Sequence, residues 1–268
     1  MLKCNACNKR FVCDHGQLIF YSHQSQAKWN DLIIQTQNGN SILKTAAKIN
    51  VNESTAFRIR HIFILLKLWS IPYMLTKEIE VDETYVTHCR KGRKIEGHPG
   101  KKRGTPARKR GLSKEKICIL TEVQRSGNCI ARSFNVAKPR IDDVLQFSRC
   151  IEDKSYVWTD GLASYQKVLE EKRCENKILV SYKSYDSVNH LNNVNSFLSQ
   201  IQAQYTCYKG ISSKYINRYN ALFTLQREYL GMDSQEMLRL IMKRLRKIHV
   251  YFYIRQIRKE CLFPFAIV

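Results

Sequence analysis

The chain has 268 residues, of which 44% are hydrophobic, so it can bury the core of a sizeable domain and is not wholly disordered. Its 45 Lys and Arg against 23 Asp and Glu give a net charge of +22, which favours a polyanionic partner, with nucleic acid ahead of an anionic membrane surface, over a merely well-solvated basic protein. A run of about 18 apolar residues and a signal peptide are both lacking, so we expect a cytoplasmic protein with reduced cysteines and no membrane partner.

Residues 1–22 carry a cysteine pair, Cys4 and Cys7, ahead of "NKRF", a pattern typical of a zinc knuckle. Tetrahedral Zn²⁺ requires four ligands, and Cys13 and His15 could complete a compact set with a non-standard spacing. Alternatively, the segment is a truncated zinc-ribbon remnant that has lost its first knuckle. We favour this second interpretation, in which zinc binding by Cys4 and Cys7 is doubtful.

Residues 23–72 predict a small all-α DNA-binding domain. A helix that ends at Asn38-Gly39 is followed by helices over 41–49 and 53–69, with Asn50 in a left-handed turn between them. The last two resemble a helix-turn-helix, whose second helix presents its first residues to DNA bases. The predicted DNA contacts are Asn52, Ser54, Thr55 and Arg58. The alternative is an ordinary helical hairpin with a solvated face.

Residues 77–232 predict an α/β domain, and residues 233–268 a C-terminal helical tail. The hydrophobic patterns predict strands at 78–86, 116–124, 128–136, 155–160 and 177–183, and helices at 140–151, 161–173, 192–205 and 212–230. This order predicts a mixed five-stranded sheet flanked by helices.

Residues 90–116 interrupt the predicted domain as a long basic loop. It holds twelve Lys or Arg against two acids, with five glycines and no periodicity. We expect this loop to follow a DNA backbone, with a steep salt dependence. The predicted contacts are Lys101, Lys102, Arg103, Arg108, Lys109 and Arg110.

Two carboxylates carry the predicted chemistry: Asp82 on the first strand and Asp160 at the end of the fourth. If these strands are neighbours, the acids repel one another unless a cation is present, and Mg²⁺ is the usual cation near phosphates. Taken singly, Asp82 could be a surface acid and Asp160 a helix cap. Glu80 and Glu83, on the same strand as Asp82, are expected to be solvated or supporting.

Four motifs together resemble a known family. "VDETYV", "GTPARKRGLSKEK", "WTDGLASY" and "HLNNVNSFLSQIQAQYTCYKGISSKYINRY" are similar to those of bacterial insertion-sequence transposases of the family numbered fifteen-ninety-five, over roughly residues 4–230. The resemblance implies an N-terminal zinc ribbon, a helix-turn-helix and an RNase H-like catalytic domain.

The same resemblance implies a catalytic set of Asp82, Asp160, Asn195 and Lys214. The first three would hold Mg²⁺ or Mn²⁺, and the Lys would meet a substrate phosphate. Asn195 stands where relatives have Glu or Asn, and it offers a metal only a neutral carbonyl oxygen. His190 matches a His that commonly precedes the third position, where it is catalytic or structural.

The implied function is metal-dependent DNA cleavage and strand transfer on terminal inverted repeats and target DNA. The resemblance also implies a homodimer or larger assembly on DNA, in a bacterial cytoplasm and associated with the nucleoid. One alternative is an inactive or truncated transposase remnant that acts only as a sequence-specific DNA-binding protein. Another is an RNase H-like nuclease of repair or recombination with no transposon.

Overall fold

The structure is a computed structural model, and it describes residues 1–12, 19, 22–69, 74–91, 113, 115–245 and 257–258, with side chains of 66–69 left aside. The chain divides into two compact units, whose described parts lie within 1–70 and 229–259 for the first and within 71–228 for the second. In the described residues, no helix is long and apolar enough to cross a membrane.

The first unit begins with a two-stranded hairpin of β1 (Leu2–Lys3) and β2 (Arg10–Phe11). Three helices follow, α1 (Gln26–Gln37), α2 (Ile42–Ile49) and α3 (Glu53–Trp69), close to the predicted bounds. Ser25 and Ser41 cap α1 and α2 through their side chains. Asn50 ends α2 at φ 51° and ψ 63°, which confirms the predicted left-handed turn.

The second unit contains a five-stranded sheet of β3 (Glu78–Thr87), β4 (Lys116–Gln124), β5 (Cys129–Arg132), β6 (Tyr156–Thr159) and β7 (Glu175–Ile178). The strand order is β5-β4-β3-β6-β7. β3 is central, antiparallel to β4 and parallel to β6, while β7 is parallel to β6. The predicted mixed five-stranded sheet is therefore confirmed.

The two faces of β3 pack differently because side chains alternate along a strand. Ile79, Val81 and Tyr85 join a hydrophobic core with α4 (Ile141–Phe147) and α5 (Ala163–Glu171). On the other face, Glu80 and Thr84 bond to α6 (Asn192–Cys207), which packs beside α7 (Ile216–Glu228). The sheet thus lies between two helical layers.

The predicted strand over 177–183 is wrong in its bounds, since β7 ends at Ile178 and a 3-10 turn occupies Tyr182–Ser184. Ser181 explains the difference, because its hydroxyl accepts a hydrogen bond from the Lys183 N–H. A serine that bonds its own backbone competes with strand pairing.

The described part of the C-terminal region forms one further helix, α8 (Ser234–Leu245), which belongs to the first unit. It contacts α1, where the Gln26 amide lies 3.8 Å from the Met242 sulfur. The predicted domain boundaries stay predictions.

Candidate active site

Strand pairing brings the two predicted acids together. β3 and β6 run parallel with Val81 opposite Thr159, so Asp82 and Asp160 follow at the same level of the sheet. One carboxylate oxygen from each of Asp82, Glu83 and Asp160 lies within 4.8 Å of the others. Across the described residues, no other group of three or more acids, histidines or cysteines meets this spacing.

The electrostatics of this acidic group favour a bound cation. Burial is the main cause that raises the pKa of Asp82 to about 6, and the charge of Asp160 adds to it. The Glu83 N–H, which donates to Asp82 Oδ1 at 2.7 Å, acts in the opposite direction and lowers this pKa. Burial and the two neighbouring aspartates raise the pKa of Glu83 to about 7. Three carboxylates this close stay ionised together only when positive charge is near.

Buried oxygen atoms around the acids also fit a cation. Glu83 Oε2 and the hydroxyls of Thr121 and Tyr165 are buried without a hydrogen-bond partner. Thr121 lies opposite Asp82 on β4, and the pKa of Tyr165 is raised by burial and then by the Glu83 charge. Oxygen atoms of this kind suit Mg²⁺ or its water ligands. The expectation that Glu83 is peripheral therefore changes, since it completes the acidic group.

Asn195 lies on the exposed side of the first turns of α6. The Asn195 side chain lies beside the Tyr185 hydroxyl and acts to lower the pKa of that tyrosine, whereas burial and then the charges of Asp82, Glu80 and Asp160 raise it, and the net pKa is raised. Tyr185 thus lies near Asn195 and within electrostatic reach of the acidic group. A metal-ligand role for Asn195 stays a prediction.

Glu80 is a buried acid that accepts several hydrogen bonds, rather than a solvated one, and 0% of its surface is exposed. Its carboxylate accepts hydrogen bonds from the backbone N–H groups of Asn193 and Val194 at 2.9 and 3.0 Å, and from the Asn193 amide at 2.8 Å. Glu80 lies two residues before Asp82, on the same face of β3. Its hydrogen bonds to the first turn of α6 therefore fix that helix to the strand that carries Asp82.

Arg125 neutralises the charge of the Glu80 carboxylate. Its Nε lies 2.9 Å from Glu80 Oε1, and its guanidinium stacks 3.5 Å from the Trp158 ring centroid. Arg125 also donates to the His190 carbonyl at 3.1 Å, while His190 Nδ1 lies 3.4 Å from Glu80. His190 is thus placed in this structural cluster. From the sequence, Glu80 was expected only to be solvated or supporting, and Arg125 had no part in the predicted site; the spacing of Glu80 from Asp82 was the signal that these two acids share a face.

Lys214 lies near the far end of β3. Ser213 bonds Cys89 in both directions, with its N–H 2.8 Å from the Cys89 carbonyl and its hydroxyl accepting from the Cys89 N–H at 2.7 Å. Cys89 lies beyond the end of β3 and seven residues after Asp82, which corresponds to at most about 23 Å of extended chain at about 3.3 Å per residue. Lys214 Nζ lies 4.7 Å from the Tyr215 ring centroid. A phosphate contact by Lys214 stays a prediction.

The predicted DNA contacts of the helix-turn-helix lie at the start of α3. Asn52 and Ser54 are exposed, whereas Thr55 and Arg58 are half-buried. The Asn52 side chain accepts from the Ser54 N–H at 2.8 Å and so caps α3. The predicted contacts in the basic loop lie outside the described residues: Lys101, Lys102, Arg103, Arg108, Lys109 and Arg110.

Cys4 and Cys7 lie at the tip of the β1–β2 hairpin. The Cys4 N–H donates to the Lys9 carbonyl, and the backbone N–H groups of Cys7 and Ala6 lower the pKa of the Cys4 thiol. Neither cysteine belongs to a group of three or more candidate ligands within the described residues. Cys13 and His15 lie outside those residues. The zinc-ribbon remnant is therefore not confirmed.

Gly161 shapes the backbone beside Asp160. It has φ +92°, and a Cβ atom there would lie 2.8 Å from Ile178 Cγ2. We expect the backbone strain in Gly161→Ala to lower the free energy of unfolding by about 1–3 kcal/mol. The clash with Ile178 should add a further loss. Urea denaturation measures this, with Gly127→Ala as the matched control, since Gly127 has φ +124° and open space around its Cβ. If both variants lost the same free energy of unfolding, the clash with Ile178 would not contribute to the loss in Gly161→Ala.

Comparison with known proteins gives one family match. Residues 74–227 match the family model described as the ISXO2-like transposase domain. A search of curated proteins finds no match. Similar solved structures include the mariner Mos1 paired end complex with Mg, at 13% identity over 94% of this chain and 85% of that chain with TM-score 0.35. They also include a pre-cleavage Mos1 transpososome, at 11% identity over 84% and 79% with TM-score 0.31.

Proposed function

The chain belongs to the ISXO2-like transposase family, and we propose that it is an active transposase that cleaves transposon ends and transfers the freed strand to target DNA. The observation that carries the proposal is the convergence of Asp82, Glu83 and Asp160 on adjacent strands of its RNase H-like sheet. A purely DNA-binding protein has no need of three mutually repelling acids at one point.

Asp82, Glu83 and Asp160 would hold a divalent ion, Mg²⁺ or Mn²⁺, with Asn195 as a further oxygen donor. When bound, such an ion supplies Lewis-acid stabilisation of the charge that develops on phosphate oxygens. Glu80 holds the start of α6, the helix that carries Asn195, against β3, so it acts on the geometry of the site. Lys214 would bind a DNA phosphate away from the acids.

DNA recognition is proposed for the first unit and the basic loop. Asn52, Ser54, Thr55 and Arg58 would read the terminal inverted repeat, because they lie at the start of the second helix of the pair. The net charge of +22 would attract the DNA backbone. We propose a dimer or larger assembly on paired ends. The second candidate, a remnant that binds ends without cutting them, keeps these contacts but needs no metal.

We expect the full-length protein to nick a labelled transposon end in Mg²⁺, with no nicking in EDTA. The rate should rise between about pH 6 and pH 8, because burial raises the pKa of Asp82 to about 6 and of Glu83 to about 7, and protons compete with the metal below these values. A gel assay over this pH range measures it. End binding without nicking at any pH would favour the remnant.

A further inference from the structure

The end of β7 and the segment that follows it, residues 177–188, run along the edge of the acidic site. The Leu179 N–H donates to the Thr159 carbonyl at 2.8 Å, directly before Asp160. Ile178 and Val180 both lie close to Gly161, the residue after Asp160. Towards the other end of the segment, Tyr185 lies beside Asn195. We call residues 177–188 the rim.

The rim exposes apolar side chains. Val180 is 83% and Tyr182 76% exposed, and Ile178 and Val188 are also exposed. Single exposed apolar residues are common on protein surfaces, but a run of them beside a polar site indicates a binding surface. The buried Leu179 anchors the segment to the sheet.

Local hydrogen bonds hold the rim in shape. The Ser184 hydroxyl donates to the Ser181 carbonyl at 2.5 Å, and Asp186 accepts from the N–H groups of Val188 and Asn189 at 2.7 and 2.6 Å. A surface that is ordered before binding loses less entropy when a ligand arrives. The rim is therefore built to present its side chains in one arrangement.

We propose that the rim binds unpaired nucleotides of the DNA at the acidic site. This deepens the proposed function and rests on it. Tyr182 offers an aromatic face on which a base can stack, and Val180 an apolar contact, while the exposed Lys177 and Lys183 offer charge to the backbone. In a base-paired duplex the faces of the bases are stacked on one another, so the rim could contact only phosphates and sugars. The exposed Tyr182 ring and Val180 would then have nothing to pack against.

The charges of the rim favour nucleic acid over a protein partner with an acidic surface. Lys177 and Lys183 lie on either side of Val180 and Tyr182 in the chain, in a protein of net charge +22. The acid in the segment, Asp186, already accepts from three donors, including the Asn189 amide at 2.8 Å. The basic and aromatic groups are thus the ones presented to a ligand.

Fluorescence anisotropy of the full chain with a labelled 12-nucleotide oligothymidine and a labelled 12-base-pair duplex tests the proposal. Tyr182→Ala should weaken single-strand binding roughly 5- to 150-fold, while duplex binding changes less than about twofold. Tyr182→Phe keeps the ring and should bind as the unaltered protein does. Ile141→Ala, which removes an exposed side chain on α4, is the matched control.

Two results would overturn the proposal: single-strand binding unchanged in Tyr182→Ala, or an equal loss for both DNA forms. Self-association that depends on Tyr182, with DNA binding unaltered, would also overturn it and assign the rim to a contact between copies. Failure of the proposed function gives a different result. Unaltered protein that never nicks DNA, yet binds single strands through Tyr182, would refute the transposase activity and leave the rim as a nucleotide-binding surface.

Discussion

Asp82→Asn is expected to lower the rate of Mg²⁺-dependent DNA nicking by at least about 10³-fold, equivalent to roughly 4 kcal/mol of transition-state stabilisation. Asn is nearly isosteric with Asp, so the loss comes from the missing charge at the centre of the acidic group. Asp160→Asn should have a similar effect. The measurement is single-turnover nicking of a labelled end, with end binding followed separately and expected to stay intact.

The same substitution should stabilise the metal-free protein at pH 8. Burial raises the folded-state pKa of Asp82 to about 6 from the ordinary value of 3.8 for an aspartate, so ionised Asp82 costs folding free energy above pH 6 and nothing below about pH 4. Asp82→Asn removes this cost, and we expect a gain of about 1–3 kcal/mol at pH 8 and little change at pH 4. Urea denaturation in EDTA measures it.

Asp142→Asn is the control for both measurements, because Asp142 is an exposed acid on α4 outside the acidic group. It should alter neither the nicking rate nor the free energy of unfolding appreciably. Full nicking activity in both Asp82→Asn and Asp160→Asn would refute the site. Loss of activity accompanied by lower stability would instead mean that Asp82 is a structural acid.

Glu80→Ala is expected to lower the free energy of unfolding by about 3–5 kcal/mol. The change leaves the Arg125 guanidinium, 14% exposed, without its carboxylate, and leaves the N–H groups of Asn193 and Val194 without an acceptor. Buried groups that lose a partner in this way cost more than the original contact contributed. Urea denaturation with tryptophan fluorescence suits the measurement, since Arg125 stacks on Trp158.

An exposed ion pair provides the matched control. Lys172 and Asp153 meet at 2.8 Å, about as closely as Arg125 and Glu80, but the Asp153 side chain is 71% exposed. Asp153→Ala should therefore change stability far less, because water replaces the lost partner. Glu80→Gln should fall between the two, since the amide keeps an oxygen acceptor for α6. Similar losses in Glu80→Ala and Asp153→Ala would mean that Glu80 does not anchor α6.

Much of the fold could be predicted from local signals. The mixed five-stranded sheet follows from alternating apolar patterns and turn residues, and the left-handed turn from Asn50. The end of β7 could not, because Ser181 bonds its own turn in a segment whose β-branched residues favour a strand. The adjacency of Asp82 and Asp160 was expected from the placement of their strands in a mixed sheet, and the strand register brings the two acids to the same level.

The order of the elements, the family motifs and the positive charge can be read from the amino-acid sequence alone, because they depend on composition and on residues near one another in the chain. The different roles of Glu80 and Glu83 follow only from the three-dimensional packing, since from the sequence "EIEVDETYV" both were expected to be solvated or supporting. Glu80 meets α6 residues 113 and 114 positions later and is neutralised by Arg125, whereas Glu83 lies with the two aspartates. The environment of a carboxylate is set by what packs over its face of the sheet, and that packing is non-local.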